Sequence, residues 1–101
     1  MKDYRQPKRG IDRDRSESIA LDALRFLVSD DGRLGRFLGA TGLDASELRA
    51  LATNGDGLAA VLDHLLADES AMLAFAAENG LAPEEVSAAH RTLSGPAETW
   101  P

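Results

Sequence analysis

The sequence predicts an all-α fold, a compact domain of five to six helices, and three observations support this prediction. Alanine, leucine, glutamate and arginine, which favour helices, are abundant, whereas β-branched and aromatic residues are scarce. Apolar residues recur at i, i+3, i+4 and i+7, which is the spacing of a single helical stripe. Short polar residues that can cap a helix precede most of these stripes. The 101 residues suffice for one domain of ordinary size.

The first half of the chain predicts two helices before a glycine stop. Helix 1 is expected to start near Ser16, with Asp14 or Ser16 as its cap, and its apolar stripe consists of Ala20, Ala23, Leu24, Leu27 and Val28. Asp30 or Asp31 can cap a second helix, since either carboxylate can accept from free N–H groups of the first turn. Gly42 is expected to end that helix.

The second half contains the strongest helical stripe in the sequence. Asp44 and Glu47 have the spacing of a capping box and predict a short third helix, and residues 54–57 are interpreted as a turn. Asp68 is expected to cap the fifth helix, and Pro83 to open the last one. The stripe that predicts a core-forming fourth helix is Leu58, Val61, Leu62, Leu65 and Leu66.

A shift of 38 residues aligns the two halves of the chain at cap, core and stop positions. The pairs are Leu24 with Leu62, Leu27 with Leu65, Asp30 with Asp68, Phe37 with Phe75, Gly42 with Gly80, Leu43 with Leu81, and Glu47 with Glu85. Similar helical periodicity alone would align some leucines, but it would not align the cap, the phenylalanine and the stop together. We therefore interpret the domain as two copies of a three-helix unit that close about a pseudo-two-fold axis.

Charge divides the chain into an arm and a body. Residues 1–15 carry a balance of +3 and are predicted to form a flexible basic arm, whereas residues 16–101 carry −9. Residues 16–93 are predicted to form the helical domain, and residues 94–101 a flexible tail. An acidic body repels nucleic acid and anionic lipid. There is no cysteine and no long apolar run, so we expect a cytoplasmic protein without disulfides, and no membrane association.

Few residues have a spacing that indicates chemistry. His64 and Asp68 are four residues apart on one helix face, which would suit half of a metal site or a hydrogen-bonded pair, with a structural histidine as the alternative. His90 is expected at the surface. Residues 54–57 resemble the centre of a calcium loop, but Ala52 and Asp63 occupy its first and last ligand positions. The sequence therefore predicts no catalytic residue, no metal and no cofactor.

Most of the domain, residues 18–93, resembles a family of small, uncharacterised helical proteins of alphaproteobacteria that is defined only as a domain of unknown function. The segments that carry the resemblance are residues 33–38, 41–44, 48–49, 60–69, 80–81 and 83–84. The resemblance implies a helical domain and brings no activity with it.

Residues 34–66 are also similar to the ubiquitin-associated type of three-helix domain. The order and spacing of residues 41–43, 48–51 and 58–66 carry this similarity. In that family the loop after the first helix and the end of the third helix form an apolar patch that binds a partner protein. The similarity implies a partner-binding patch here, with the alternative that both leucines of helix 4 belong to the core; the patch residues would be Gly42, Leu43, Leu65 and Leu66.

Together these observations favour a non-catalytic helical module that binds an unidentified protein partner, with a homodimer as one form of that binding. The alternative hypothesis is a small dimeric regulator that contacts nucleic acid through the basic arm at residues 1–15. Nucleic acid is the less favoured partner because the body is acidic.

Overall fold

The computed structural model describes residues 12–94, and within this range it contains six α-helices and no strand. The prediction of an all-α domain of five to six helices is confirmed. Residues 1–11 and 95–101, which hold most of the predicted arm and tail, lie outside the described residues. The helices are α1 (Arg13–Val28), α2 (Asp31–Thr41), α3 (Ala45–Leu51), α4 (Gly55–Leu66), α5 (Glu69–Glu78) and α6 (Pro83–Ser94).

Aspartates cap four of the six helices, and at three of them the sequence predicted an aspartate cap. Asp30, Asp44 and Asp68 are the N-caps of α2, α3 and α5. The Asp30 carboxylate accepts from the Arg33 amide at 2.9 Å, and the Asp44 carboxylate accepts from the Glu47 amide at the same distance. Each bond satisfies an amide that has no partner inside the helix.

Two helix starts differ from the prediction. Helix α1 begins at Arg13, not near Ser16, because Asp12 is its cap and accepts from the Arg15 amide at 2.8 Å. Ser16 is instead buried, and its hydroxyl donates to the Asp12 carbonyl oxygen at 2.8 Å. Residues 54–57 are not a turn, since the Asn54 side chain accepts from two amides and α4 begins at the next residue.

Helices α1, α4 and α6 form the centre of the domain, and each packs against the other two. Their N-terminal ends lie together, with Arg15 Nη2 3.5 Å from Glu85 Oε2 and Arg13 directly beside Gly55. Most of the buried apolar side chains come from these three helices, with one phenylalanine each from α2 and α5. The largest of the core residues are Ile19, Phe26, Leu27, Phe37, Leu58, Val61, Leu62, Leu65, Phe75, Val86 and Leu93.

The local geometry of the two halves corresponds at several of the aligned positions. Gly42 and Gly80 both have positive φ, 74° and 64°, a conformation in which a side chain would be strained. The carboxylates of Glu47 and Glu85 each accept from the amide three residues earlier, at 3.0 and 2.9 Å. The duplication itself stays a prediction, since these contacts are local and do not establish that the halves superpose.

The third helix of each half has a different environment. Helix α6 buries Val86, Ala88, Ala89 and Leu93, whereas α3 buries no residue at all. Helix α3 packs on α4 and lies outside the three-helix centre. The face of α1 that α3 approaches is therefore only partly covered.

Candidate functional site

The four residues of the predicted patch do not form one exposed surface. Leu65 has 0% exposure and belongs to the core, which was the alternative interpretation. Leu66 and Leu43 are half-buried and pack against that core, while Gly42 is exposed at the end of α2. Because a side chain with no accessible surface cannot contact a partner, Leu65 is removed from the predicted patch. A binding role for the other three residues stays a prediction.

His64 and Asp68 border one cleft, together with Arg36. The His64 ring lies edge-on to Phe37, with ring centroids 5.0 Å apart, and Asp68 caps α5 through the Ala71 amide at 3.2 Å. Both residues thus have structural contacts. Among residues 12–94, no group of three His, Cys, Asp or Glu side chains could hold a metal ion.

His90 lies apart from that cleft. Its Nε2 is 3.4 Å from the Asp63 carboxylate, which links α6 to α4. His90 was expected at the surface, and it is half-buried there. The two histidines therefore do not converge on a common site.

An open groove separates α1 from α3, and its volume is about 420 Å³. The α1 wall consists of Leu21, Leu24, Arg25 and Val28, and the α3 wall consists of Ala45, Leu48, Arg49 and Ala52. In each wall the residues follow the spacing i, i+3, i+4 and i+7, so each wall is one complete helical stripe. A cleft between two such stripes has the shape that a third helix fills in a helical bundle.

The groove exposes apolar side chains that would be expected in a core. Val28 is 39% exposed, and it is one of two large apolar residues in the described range that are exposed, the other being Leu73 on α5. Leu21, Leu24 and Leu48 are half-buried. These three leucines pack against the core on one side and leave their other side open to solvent.

Helix α3 is fixed at both ends by local contacts. At its start Asp44 and Glu47 form a complete capping box. At its end Leu51 lies against Gly57, where a β-carbon would be 2.6 Å from Leu51 Cδ2 and 3.1 Å from Leu51 Cα. A β-carbon at position 57 would therefore force the Leu51 side chain to turn away and the Leu51 backbone to shift slightly, so glycine favours the close approach of α3 to α4.

This groove was not predicted from the sequence. Leu24 and Val28 were assigned to the core stripe of helix 1, whereas the buried face of α1 is formed by Ser16, Ile19, Ala20, Ala23, Phe26 and Leu27. A signal was present, because Leu21, Leu24 and Val28 form a second apolar stripe beside the first. A helix with two apolar stripes needs two covering neighbours.

Comparison with known proteins places the chain in a family. The model of a family described as protein of unknown function, DUF3572, matches residues 13–96. The chain belongs to the DUF3572 family. The match begins at the first residue of α1, so it includes the whole six-helix domain and both walls of the groove.

The other two comparisons add no relative to this DUF3572 domain. Neither the search of curated proteins nor the search of solved structures returned a match. Within residues 12–94, no helix has both the length and the apolar character needed to cross a bilayer.

Proposed function

We propose that this DUF3572 chain is a protein-interaction module, and that its groove between α1 and α3 binds a helical segment of a partner protein. The single observation that carries the proposal is the pair of facing apolar stripes, between which no helix of residues 12–94 lies. Amphipathic helices commonly bind in such grooves through residues at i, i+3, i+4 and i+7.

The lining of the groove supports a macromolecular partner over a small molecule. Ligand pockets typically bury most of their ligand and place a few polar groups to fix its orientation. This groove is open along two helices, and Arg25 and Arg49 are the polar side chains among the described residues that line it. Removing half-buried leucines from water would contribute roughly 25 cal/mol per Å² of apolar area to binding.

The test uses the two exposed large apolar residues as a matched pair. Val28→Gln makes the groove polar at an exposed position, so the domain should still fold, and Leu73→Gln makes the same kind of change outside the groove. Affinity capture from cells that contain the protein natively should return the same partner with wild-type protein and with Leu73→Gln. Val28→Gln should reduce its recovery severalfold.

Thermal unfolding of both variants provides the control for folding. If the two variants unfold at comparable temperatures, the lower recovery of the partner with Val28→Gln is due to the changed groove surface and not to loss of folding. Capture that falls equally with both variants, or with neither, would contradict the proposed site.

A further inference from the structure

Building on the proposed function, we infer that the partner segment is a short amphipathic helix with acidic residues flanking its apolar face, and that Arg25 and Arg49 bind those carboxylates. The inference would fail if the proposed function failed, but it can also fail alone. Four features of the groove support it. Its two arginines occupy equivalent positions, their charge is opposite to that of the body, they can accept a new carboxylate partner, and the walls have a defined length.

The two arginines occupy equivalent positions in the two walls. Arg25 follows Leu24 in the α1 stripe, and Arg49 follows Leu48 in the α3 stripe. Each is the i+4 member of its stripe, directly beside the central leucine. A helix whose apolar residues contact both leucines would therefore bring its flanking positions near both guanidinium groups.

The charge of the groove is opposite to that of the body. Residues 16–101 contain 14 acidic and five basic residues, and two of those five line the groove. None of the described residues that line it is acidic. Because Asp22 already pairs with Arg25 at 2.7 Å, the positive charge of the groove is mainly that of Arg49, and in a body with a balance of −9 it favours a partner with complementary charge.

Both arginines can accept a new carboxylate partner. Arg25 pairs with Asp22 at 2.7 Å, but its side chain is 73% exposed, and exposed pairs of this kind contribute little to stability. Arg49 is exposed and has no ion pair with another described residue. Arg33 provides a contrast, since it lies over the Phe26 ring at 3.9 Å and has a role in the fold.

The walls also limit the length of the partner helix. Each stripe spans seven residue steps, and at 1.5 Å per residue this is about 10 Å, or two helical turns. A helix of two to three turns would cover the groove. This length is typical of short linear segments and is much less than that of a coiled coil.

A second copy of this chain is a poor occupant. If two chains met through the same groove, the contact would enclose four arginines, two from each chain. Like charges in such a contact are unfavourable. The acidic surface of a different protein does not have this conflict.

The experiment uses two labelled 12-residue peptides with the same leucine and alanine face. Glutamates flank this face in one peptide and lysines in the other, and fluorescence anisotropy with the full chain measures both affinities. We expect the glutamate peptide to bind about tenfold more tightly at low salt, with the difference decreasing as salt is added. Arg49→Glu should weaken the glutamate peptide about threefold to tenfold and strengthen the lysine peptide.

The matched control is Arg91→Glu, which makes the same charge change on α6, outside the groove. Equal binding of the two peptides, or equal effects of the Arg49 and Arg91 substitutions, would overturn the inference. Failure of both peptides to bind would overturn it as well. A dimer in sedimentation that Val28→Gln dissociates would show that a second copy is the occupant. If the two peptides bind equally, if the two substitutions act equally, or if neither peptide binds, the proposed function would still be supported by capture of a natural partner that depends on the groove.

Discussion

Gly57 determines how closely α3 approaches α4. A β-carbon at this position would be only 3.1 Å from the Cα atom of Leu51, so rotation of the leucine side chain could not relieve the contact. The backbone of α3 at Leu51 would have to shift by a few tenths of an ångström. Since α3 is one wall of the groove, the contact between Gly57 and Leu51 contributes to the position of that wall.

Gly57→Ala should therefore reduce the free energy of unfolding by about 1–3 kcal/mol, the usual cost of overpacking. Gly35→Ala is the matched control, because position 35 lies within α2 and a β-carbon there would have no atom within 4 Å. It should stabilise the protein by about 0.5–1 kcal/mol through the better helix propensity of alanine. Urea denaturation measures both values, and a stabilised Gly57→Ala variant would contradict the close contact between Gly57 and Leu51.

At the scale of the helices, α3 depends on local contacts more than any other element. It has seven residues and buries none of them, so its capping box is a large part of what keeps it helical. The pKa of the Asp44 carboxyl lies below its ordinary value of 3.8, because the Glu47 amide and the Ser46 hydroxyl donate to the charged form.

A folded-state pKa below the ordinary value means that Asp44 contributes stability above about pH 4, and that this contribution is lost as the pH falls through the lowered pKa. Hydrogen exchange at the Glu47 amide should accelerate over that range relative to the amides of α4. Asp44→Asn keeps an oxygen acceptor without a titrating group, so its Glu47 amide should show no such change. Unchanged protection in the wild-type protein at acid pH would contradict this role of the capping box.

The elements that could be predicted were those with local signals. Asp44 and Asp68 were predicted as caps, and Asp30 as one of two candidates beside Asp31, because the bonded amide lies three residues further along the chain. Asp12 was missed because Asp14 and Ser16 offered equally good local patterns. The start of α4 was missed because glycines at positions 55 and 57 indicate a turn in isolation, while Asn54 and the packing of Leu51 favour a helix.

At the scale of the whole molecule, the core depends on α1, α4 and α6, with Phe37 and Phe75 inserted from α2 and α5. These two phenylalanines are aligned by the 38-residue shift, and neither has any exposure. The Phe75 ring packs edge-on against Phe26, with centroids 5.6 Å apart. The second half of the chain is thereby joined to the first half through an aromatic contact.

Phe75→Ala should lower the free energy of unfolding by about 3–5 kcal/mol, since it removes a buried ring and leaves a cavity. Leu73→Ala, two residues away on the exposed face of α5, should change it by no more than about 0.5 kcal/mol. Chemical denaturation of both variants checks this difference. If both variants lost a similar free energy of unfolding, the face of α5 that packs on the core would not be the one that carries Phe75.

The groove could not be predicted from the sequence, because it depends on how the helices pack in the tertiary structure. Helix α1 has two apolar stripes, and only the arrangement of the other helices determines which one is covered. The position of Leu65 could not be predicted for the same reason. Its spacing in the sequence suits either a core residue or a surface patch. Leu65 is in the core because α4 packs against α1 and α6.

The most direct test of the docking groove is a photo-crosslinking comparison between positions 52 and 60 in cells. Ala52 lines the groove, whereas Ala60 is exposed on α4 and is not among the residues that line it. With a photoreactive residue at each position in turn, we expect a single defined adduct from position 52 that disappears with Val28→Gln, and no such adduct from position 60. Equal adducts from both positions, or an adduct from position 52 that Val28→Gln leaves unchanged, would contradict binding in the groove.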